Sequence, residues 1–314
     1  MMKMIDKLRP YILVLFVLAL VTVPFWGPRY VVFFCLLFCL YLSLAQMWNL
    51  LVGYSGLFSL AQPAFIGLTG YTMAVMTSYH GANIWLSLML GGLVSILFAL
   101  FMSPFIFRLK GIYFGIITLL FVDALYLLFT NWKYTKYSQG MFIKPVPPLS
   151  TNTIYYAAFV VGIGSVALVY GILRSKLGLG LMAMRDDEEV ANMTGVEIFR
   201  YKLYSYLIAA FVTGITGGIY YISHFFIMPQ DAFSISWSVN MIFMVIIGGI
   251  GTIEGPFVGA FIYVFLSQFL AEYFSVSMLI LGAIAIVIIL LAPKGIMGTI
   301  QERLGFEFLS PRRK

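Results

Sequence analysis

Charge is the scarcest component of this chain. Of 314 residues, 10% are charged and 62% are hydrophobic, whereas a soluble domain carries roughly 25% charged residues. So few charges cannot coat a water-soluble core of this size, which excludes an ordinary soluble protein. Histidine is almost missing: His80 and His224 are the only two, and both fall at the ends of apolar runs. There is no HExxH, no cluster of metal ligands and no nucleophile elbow, so neither a metal site nor an enzyme is expected. No GxxxxGK[ST] occurs either, which denies the chain a Walker loop for ATP. The two cysteines, Cys35 and Cys39, lie one helical turn apart in one apolar run. Sharing a helix face, they read as packing residues rather than a redox pair.

What the chain has instead is apolar sequence in long runs. A helix crossing the hydrocarbon needs about 20 mainly apolar residues. Candidate stretches are 11–26, 30–52, 57–79, 83–107, 112–130, 154–173, 203–223, 239–253, 256–273 and 276–292. They are continuous rather than short and alternating, which argues against barrel strands. The expected fold is therefore all-α: one polytopic domain over 1–314, with about ten transmembrane helices, some interrupted. Lys3, Lys7 and Arg9 precede the first stretch, which ends in Pro24-Phe25-Trp26-Gly27-Pro28-Arg29. That ending is too bulky for signal-peptide cleavage, so a retained anchor is expected.

Basic residues test the orientation. With ten spans and both termini cytoplasmic, only Arg29, Lys133, Lys136 and Lys144 of the 19 Lys and Arg fall outside. This obeys the positive-inside rule, and it explains the net charge of +7 without nucleic acid. Trp26, Trp85, Trp132 and Trp237 all fall at outer span ends, where amphipathic rings prefer to sit.

The longest inner loop, 174–202, holds five basic and five acidic residues. Asp186, Asp187 and Glu188 are expected to open a short helix that Gly195 stops, with Val190 and Met193 giving it an apolar side. A solvated loop, a helix lying on the membrane surface and a dock for a cytoplasmic partner all fit.

Two stretches carry helix interruptions of the kind that line transport cavities. One, 53–70, has Gly53, Gly56, Gly67, Gly70 and Pro63 beside the polar Ser55, Ser59, Gln62 and Thr69; its polar content favours a lined pathway over packing. The other, 248–259, places Gly251, Gly255 and Gly259 at four-residue spacing, which reads as a helix-packing ridge. Pro followed closely by Phe and Gly recurs in both, at Pro63, Phe65 and Gly67 and at Pro256, Phe257 and Gly259. Asp123 sits inside the fifth stretch with no basic residue in the nearby turns. A carboxylate there costs roughly 2.5–3.5 kcal/mol on insertion scales, so a cavity, a proton or an interhelical partner is expected.

Four blocks carry a resemblance. They are Gly53-Tyr54-Ser55-Gly56-Leu57-Phe58-Ser59-Leu60-Ala61-Gln62-Pro63-Ala64-Phe65, Arg108-Leu109-Lys110-Gly111-Ile112-Tyr113-Phe114, the stretch 180–220, and Gly248-Gly249-Ile250-Gly251-Thr252-Ile253-Glu254-Gly255-Pro256. In this order they resemble the branched-chain amino acid permeases of ABC importers, the larger of the two paired permeases in particular. The resemblance implies alternating access for branched-chain or related small amino acids or small amides, in a bacterial or archaeal inner membrane. It implies a second, related permease in a heterodimer, an extracytoplasmic solute-binding protein, and two cytoplasmic ATPases that bind the ATP and Mg this chain cannot. It further implies that Arg185, Asp186, Asp187, Glu188, Glu189, Ala191 and Gly195 form an ATPase-coupling helix. Ser55, Ser59, Gln62, Pro63, Phe65, Tyr113 and Asp123 would belong to the substrate pathway. A stand-alone secondary transporter is the alternative.

Overall fold

A computed structural model of the chain describes residues 15–270 and 274–304. The bundle is helical almost throughout: α1 (Leu15–Trp26), α2 (Arg29–Asn49), α3 (Gln62–His80), α4 (Ile84–Ile106), α5 (Ile112–Asn131), α6 (Thr151–Leu173), α7 (Lys176–Asp186), α8 (Glu188–Met193), α9 (Ile198–His224), α10 (Pro229–Ala232), α11 (Ser236–Gly248), α12 (Gly255–Phe269), α13 (Phe274–Leu291) and α14 (Gly295–Leu304). One antiparallel pair, β1 (Met141–Phe142) with β2 (Phe226–Ile227), closes the end of the bundle opposite α7 and α8.

Six described segments are long and apolar enough to cross a membrane: Arg29–Tyr54, Ile84–Ile106, Ile112–Asn131, Thr151–Leu173, Ile198–His224 and Pro229–Gly248. Six of the ten expected stretches correspond to these segments, and the other four hold α1, α3, α12 and α13. The stretch 57–79 becomes helical only at Gln62, and 239–253 stops being helical at Gly248. Helices α1 and α12 are apolar but shorter. The basic residues Lys3, Lys7, Arg9, Arg312, Arg313 and Lys314, on which the expected cytoplasmic ends largely rest, lie outside the described residues.

Helix α2 is the axis of the bundle. It packs against α6, α9, α11 and α12, and from Leu36 onward every residue but Tyr41 is buried. Among lipid-soluble helices no hydrophobic force drives association, so close backbone approach and interhelical hydrogen bonds must hold them. Both occur here. Gly162 on α6 lets that helix touch the backbone of Cys39, whose thiol is free and buried, as a packing role requires. Ser43 of α2 bonds Thr216 of α9 at 2.9 Å, Thr69 of α3 bonds Ser95 of α4 at 3.0 Å, and the Ser95 hydroxyl donates to the Phe65 carbonyl at 3.0 Å. Helix α3 is inside this frame, rich in glycine and threonine and buried over most of its length.

Helix α11 begins inside the bundle rather than at its edge. Its 13 residues span about 20 Å, short of the ~30 Å hydrocarbon thickness. Trp237, expected as an interfacial ring, is 7% exposed instead and packs against Tyr41 and Tyr220. The chain returns inward through α10 before α11 starts, and that re-entry carries the tryptophan with it. Trp26 and Trp132 are exposed.

Candidate functional site

Helix α2 ends in a π turn, Leu50–Tyr54, and the chain then runs without helix to Ala61. Gly53 and the left-handed Gly56 (φ 69°) allow the break. A backbone group left unpaired in the membrane costs several kcal/mol, and side chains repair this break one group at a time. The Ser55 hydroxyl donates to the Leu50 carbonyl (2.9 Å) and Trp48 Nε1 to the Ser59 carbonyl (3.1 Å). Leu60 N–H donates to Thr118 Oγ1 (3.0 Å), Ser238 Oγ to the Leu60 carbonyl (3.3 Å), and Ala61 N–H to Ser59 Oγ (3.2 Å). Pro63 occupies the first turn of α3, where a missing N–H costs nothing.

The second break, residues 249–254, joins α11 to α12. Gly249 (φ 127°) and Gly251 (φ 72°) take conformations closed to most residues. Its free groups are met by two polar residues of α2. Asn49 accepts from Gly251 N–H (2.9 Å) and donates to the Thr252 carbonyl (2.8 Å), while Gln46 Nε2 donates to the Ile253 carbonyl (2.8 Å). The two breaks therefore meet. A Cβ on Gly53 would lie 2.6 Å from Gly251 N, so only glycine lets the strands pass. Asn49→Leu keeps the volume but leaves Gly251 N–H and the Thr252 carbonyl unpaired, at roughly 1–3 kcal/mol each. We expect a fall in thermal stability, read by fluorescence-detected size exclusion; an unchanged melting profile would contradict this clamp.

The surface segment reaches the same point. Arg185, near the end of α7, donates from Nη1 to the Gly53 carbonyl (2.8 Å), and its Nε and Nη2 grip Asp186 Oδ1 (3.0 and 2.8 Å). Asp186 thus ends α7 rather than opening the next helix. Asp187 is the N-cap of α8, accepting from Glu189 and Val190 N–H, and α8 stops at a left-handed Gly195 (φ 88°). Glu188 pairs with Lys202 at the start of α9 and approaches Lys110 at 3.8 Å. Lys202 is 3% exposed and is the one buried charged residue among those described. Ala191 packs inward, whereas Val190 (57% exposed) and Met193 (87% exposed) project away from the bundle. The apolar pair is thus not laid against this chain's own helices.

The residues expected along a pathway do not form one lining. Ser55, Ser59, Gln62, Pro63 and Phe65 cluster at the first break, all buried, with the two serines engaged with backbone. Phe65 is edge-on to Tyr206, 5.6 Å between centroids. Gln62 alone is buried with neither amide atom hydrogen-bonded. Tyr113 and Asp123 lie apart from these, on the exposed face of α5 with Ile116, Leu120 and Leu127. The Asp123 carboxylate has no hydrogen bond or ion pair to a described residue. The ridge expected over Gly251, Gly255 and Gly259 is shorter than its spacing implied. Gly255 and Gly259 press α12 onto the backbone of α11, but Gly251 lies in the break, off the helix, against Gly53. Sequence reasoning passed over Gln46, Asn49 and Thr252. Their signal was two amides three residues apart in an otherwise apolar run.

A profile described as the branched-chain amino acid transport system / permease component matches residues 30–291. The chain belongs to this family. The permease is similar to the high-affinity branched-chain amino acid transport system permease protein LivM of Salmonella typhimurium and of Escherichia coli. Each is 26% identical over 328 residues, covering 95% of the permease and 77% of the relative. It is also similar to the probable branched-chain amino acid transport permease protein LivH of Methanocaldococcus jannaschii, at 23% identity over 160 residues, 48% of the permease and 50% of the relative. No solved structure matches the permease. It is thus a LivM-like, multi-pass transport permease, in a family of membrane subunits rather than enzymes.

Proposed function

We propose that the permease is a membrane subunit of an ATP-driven importer that moves branched-chain or related small amino acids, or small amides, across a bacterial or archaeal inner membrane. The observation that carries the reading is the Arg185–Gly53 bond, which ties the surface segment to the point where two broken spans meet. In this account both termini and α7–α8 are cytoplasmic, and the chain crosses about ten times. Two ATPases, holding ATP and Mg, grip the exposed Val190 and Met193. Their closure moves α7, Arg185 draws on Gly53, and the Gly53–Gly251 contact passes the movement to α11 and α12. The cavity then exchanges outward-facing for inward-facing access, and a solute-binding protein supplies the outer mouth.

A second, related permease covers the exposed face of α5, where a bare carboxylate facing lipid is costly. Asp123→Asn is expected to lower uptake about tenfold without lowering the amount of chain in the membrane. Unchanged uptake with an unchanged pH profile would remove Asp123 from the pathway.

A secondary transporter would couple ions through buried charges. The buried charge among the described residues, Lys202, is already neutralised by Glu188, which favours the importer. To test the assignment, tagged permease is extracted in mild detergent from its native host. An ATPase and a second permease should co-purify, and Val190→Asp with Met193→Asp should shed the ATPase while keeping the second permease. If the native chain purifies alone, the reading fails.

A further inference from the structure

At the end of the bundle carrying β1 and β2, opposite α7 and α8, a cavity of about 500 Å³ opens where α9 hands over to α10 and α11. Its lining combines aromatic rings with polar side chains. Tyr41 of α2, Tyr220 of α9 and Trp237 of α11 bring three rings together, with Trp237 4.8 Å from Tyr220 and 6.2 Å from Tyr41 between centroids. His224, which also lines the cavity, stacks 4.2 Å from Tyr220. The ring of Trp237 is fixed because its Nε1 donates to the Asp231 backbone carbonyl at 2.8 Å.

At the open side of this group stands one exposed carboxylate, Asp231, which lines the cavity together with His224 but with no Lys or Arg. It forms no ion pair or side-chain hydrogen bond with any described residue. Tyr221, 3% exposed and also lining the cavity, keeps a hydroxyl with no hydrogen-bond partner. The Ser234 and Ser236 side chains and the Asn240 amide, at the start of α11, line the same cavity and can donate.

A carboxylate without an ion pair, beside π faces, attracts a cation, and the adjoining donors suit an anion. The geometry points to a binding site for a small zwitterion: a primary ammonium held by Asp231 and the rings of Tyr41, Tyr220 and Trp237, with its carboxylate toward Asn240 and the start of α11. The inference rests on the importer reading and narrows its solute, since an uncharged amide such as urea offers Asp231 no cation. It also gives α11 a reason to begin inside the bundle, because the re-entry through α10 is what sets Asp231 beside Trp237.

The test is binding to the purified complex in lipid nanodiscs without nucleotide, using radiolabelled L-leucine. Tetramethylammonium and 4-methylpentanoate, the deaminated analogue of leucine, serve as competitors. Wild type should bind leucine, with tetramethylammonium competing and 4-methylpentanoate not. D231N should weaken leucine at least about tenfold, Y220L should weaken it less, and Y220F should retain it, since phenylalanine keeps the π face. An unaltered size-exclusion profile and retention of the second permease report that D231N is folded. Equal affinity in wild type and D231N would overturn the site. So would competition by 4-methylpentanoate alone, or no leucine binding by wild type. Because these affinities need no ATP, they judge the site even if uptake proves independent of ATP and the importer reading falls.

Discussion

Arg185→Gln is expected to lower ATP-driven uptake by about 100-fold while the ATPases still co-purify. The loss of a charge-assisted hydrogen bond is worth roughly 1.5–3 kcal/mol, which is about a 10- to 150-fold change. Here the bond joins two parts of the chain that would otherwise move separately: α7 on the surface and the π turn at Gly53. Glutamine is neutral and shorter, and it lacks the fork with which Arg185 holds Asp186 and Gly53 together. Arg185→Lys should be intermediate, since an ammonium can meet one acceptor but not both in the same geometry. Uptake and ATP hydrolysis should then separate, with hydrolysis persisting where transport fails. If Arg185→Gln transports at the wild-type rate, the surface segment does not act through Gly53.

The second large effect is on folding. Glu188→Gln is expected to cost about 3–5 kcal/mol, because it strands the buried ammonium of Lys202. For a chain of marginal stability that is a severe loss, read as a drop in membrane-inserted protein and in melting temperature. Lys202→Met should be milder. The surviving Glu188 is partly exposed and has Lys110 within 3.8 Å, so its charge can be hydrated or paired. Glu188→Gln with Lys202→Met should recover most of what Glu188→Gln loses, because replacing a buried pair by apolar groups is far cheaper than halving it. A double variant no better than Glu188→Gln alone would mean that Glu188 serves something other than Lys202.

The sequence announced its helices through long apolar runs, and ten expected stretches overlap helices of the structure within a few residues. Periodicity did not fix where the runs break; glycines, Pro63 and the polar residues around them marked the two regions but not the exact ends of the helices. The helical surface segment around Asp187 was legible for a different reason. Asp187 as N-cap and Gly195 as helix stop are local backbone requirements, so spacing alone reveals them. The clamp of Asn49 onto Gly251 was not legible, since it joins residues about 200 positions apart. Trp237 was misread because a tryptophan at a span end and one drawn inward by a re-entrant turn have the same local sequence. Asp123 stands out in the sequence as an acid within an apolar run, and the structure places it on the exposed face of α5. Asp231 escaped notice because a lone acid between two spans is unremarkable until the fold brings Tyr41 and Tyr220 to the same cavity.

The most direct test is L-leucine uptake into proteoliposomes holding the purified complex, with the binding protein outside and nucleotide trapped inside. The account predicts uptake with ATP and Mg, none with a non-hydrolysable analogue, and near-complete loss in Arg185→Gln despite an intact complex. Uptake by this chain alone at the same rate without ATP would contradict it and make the protein a secondary transporter.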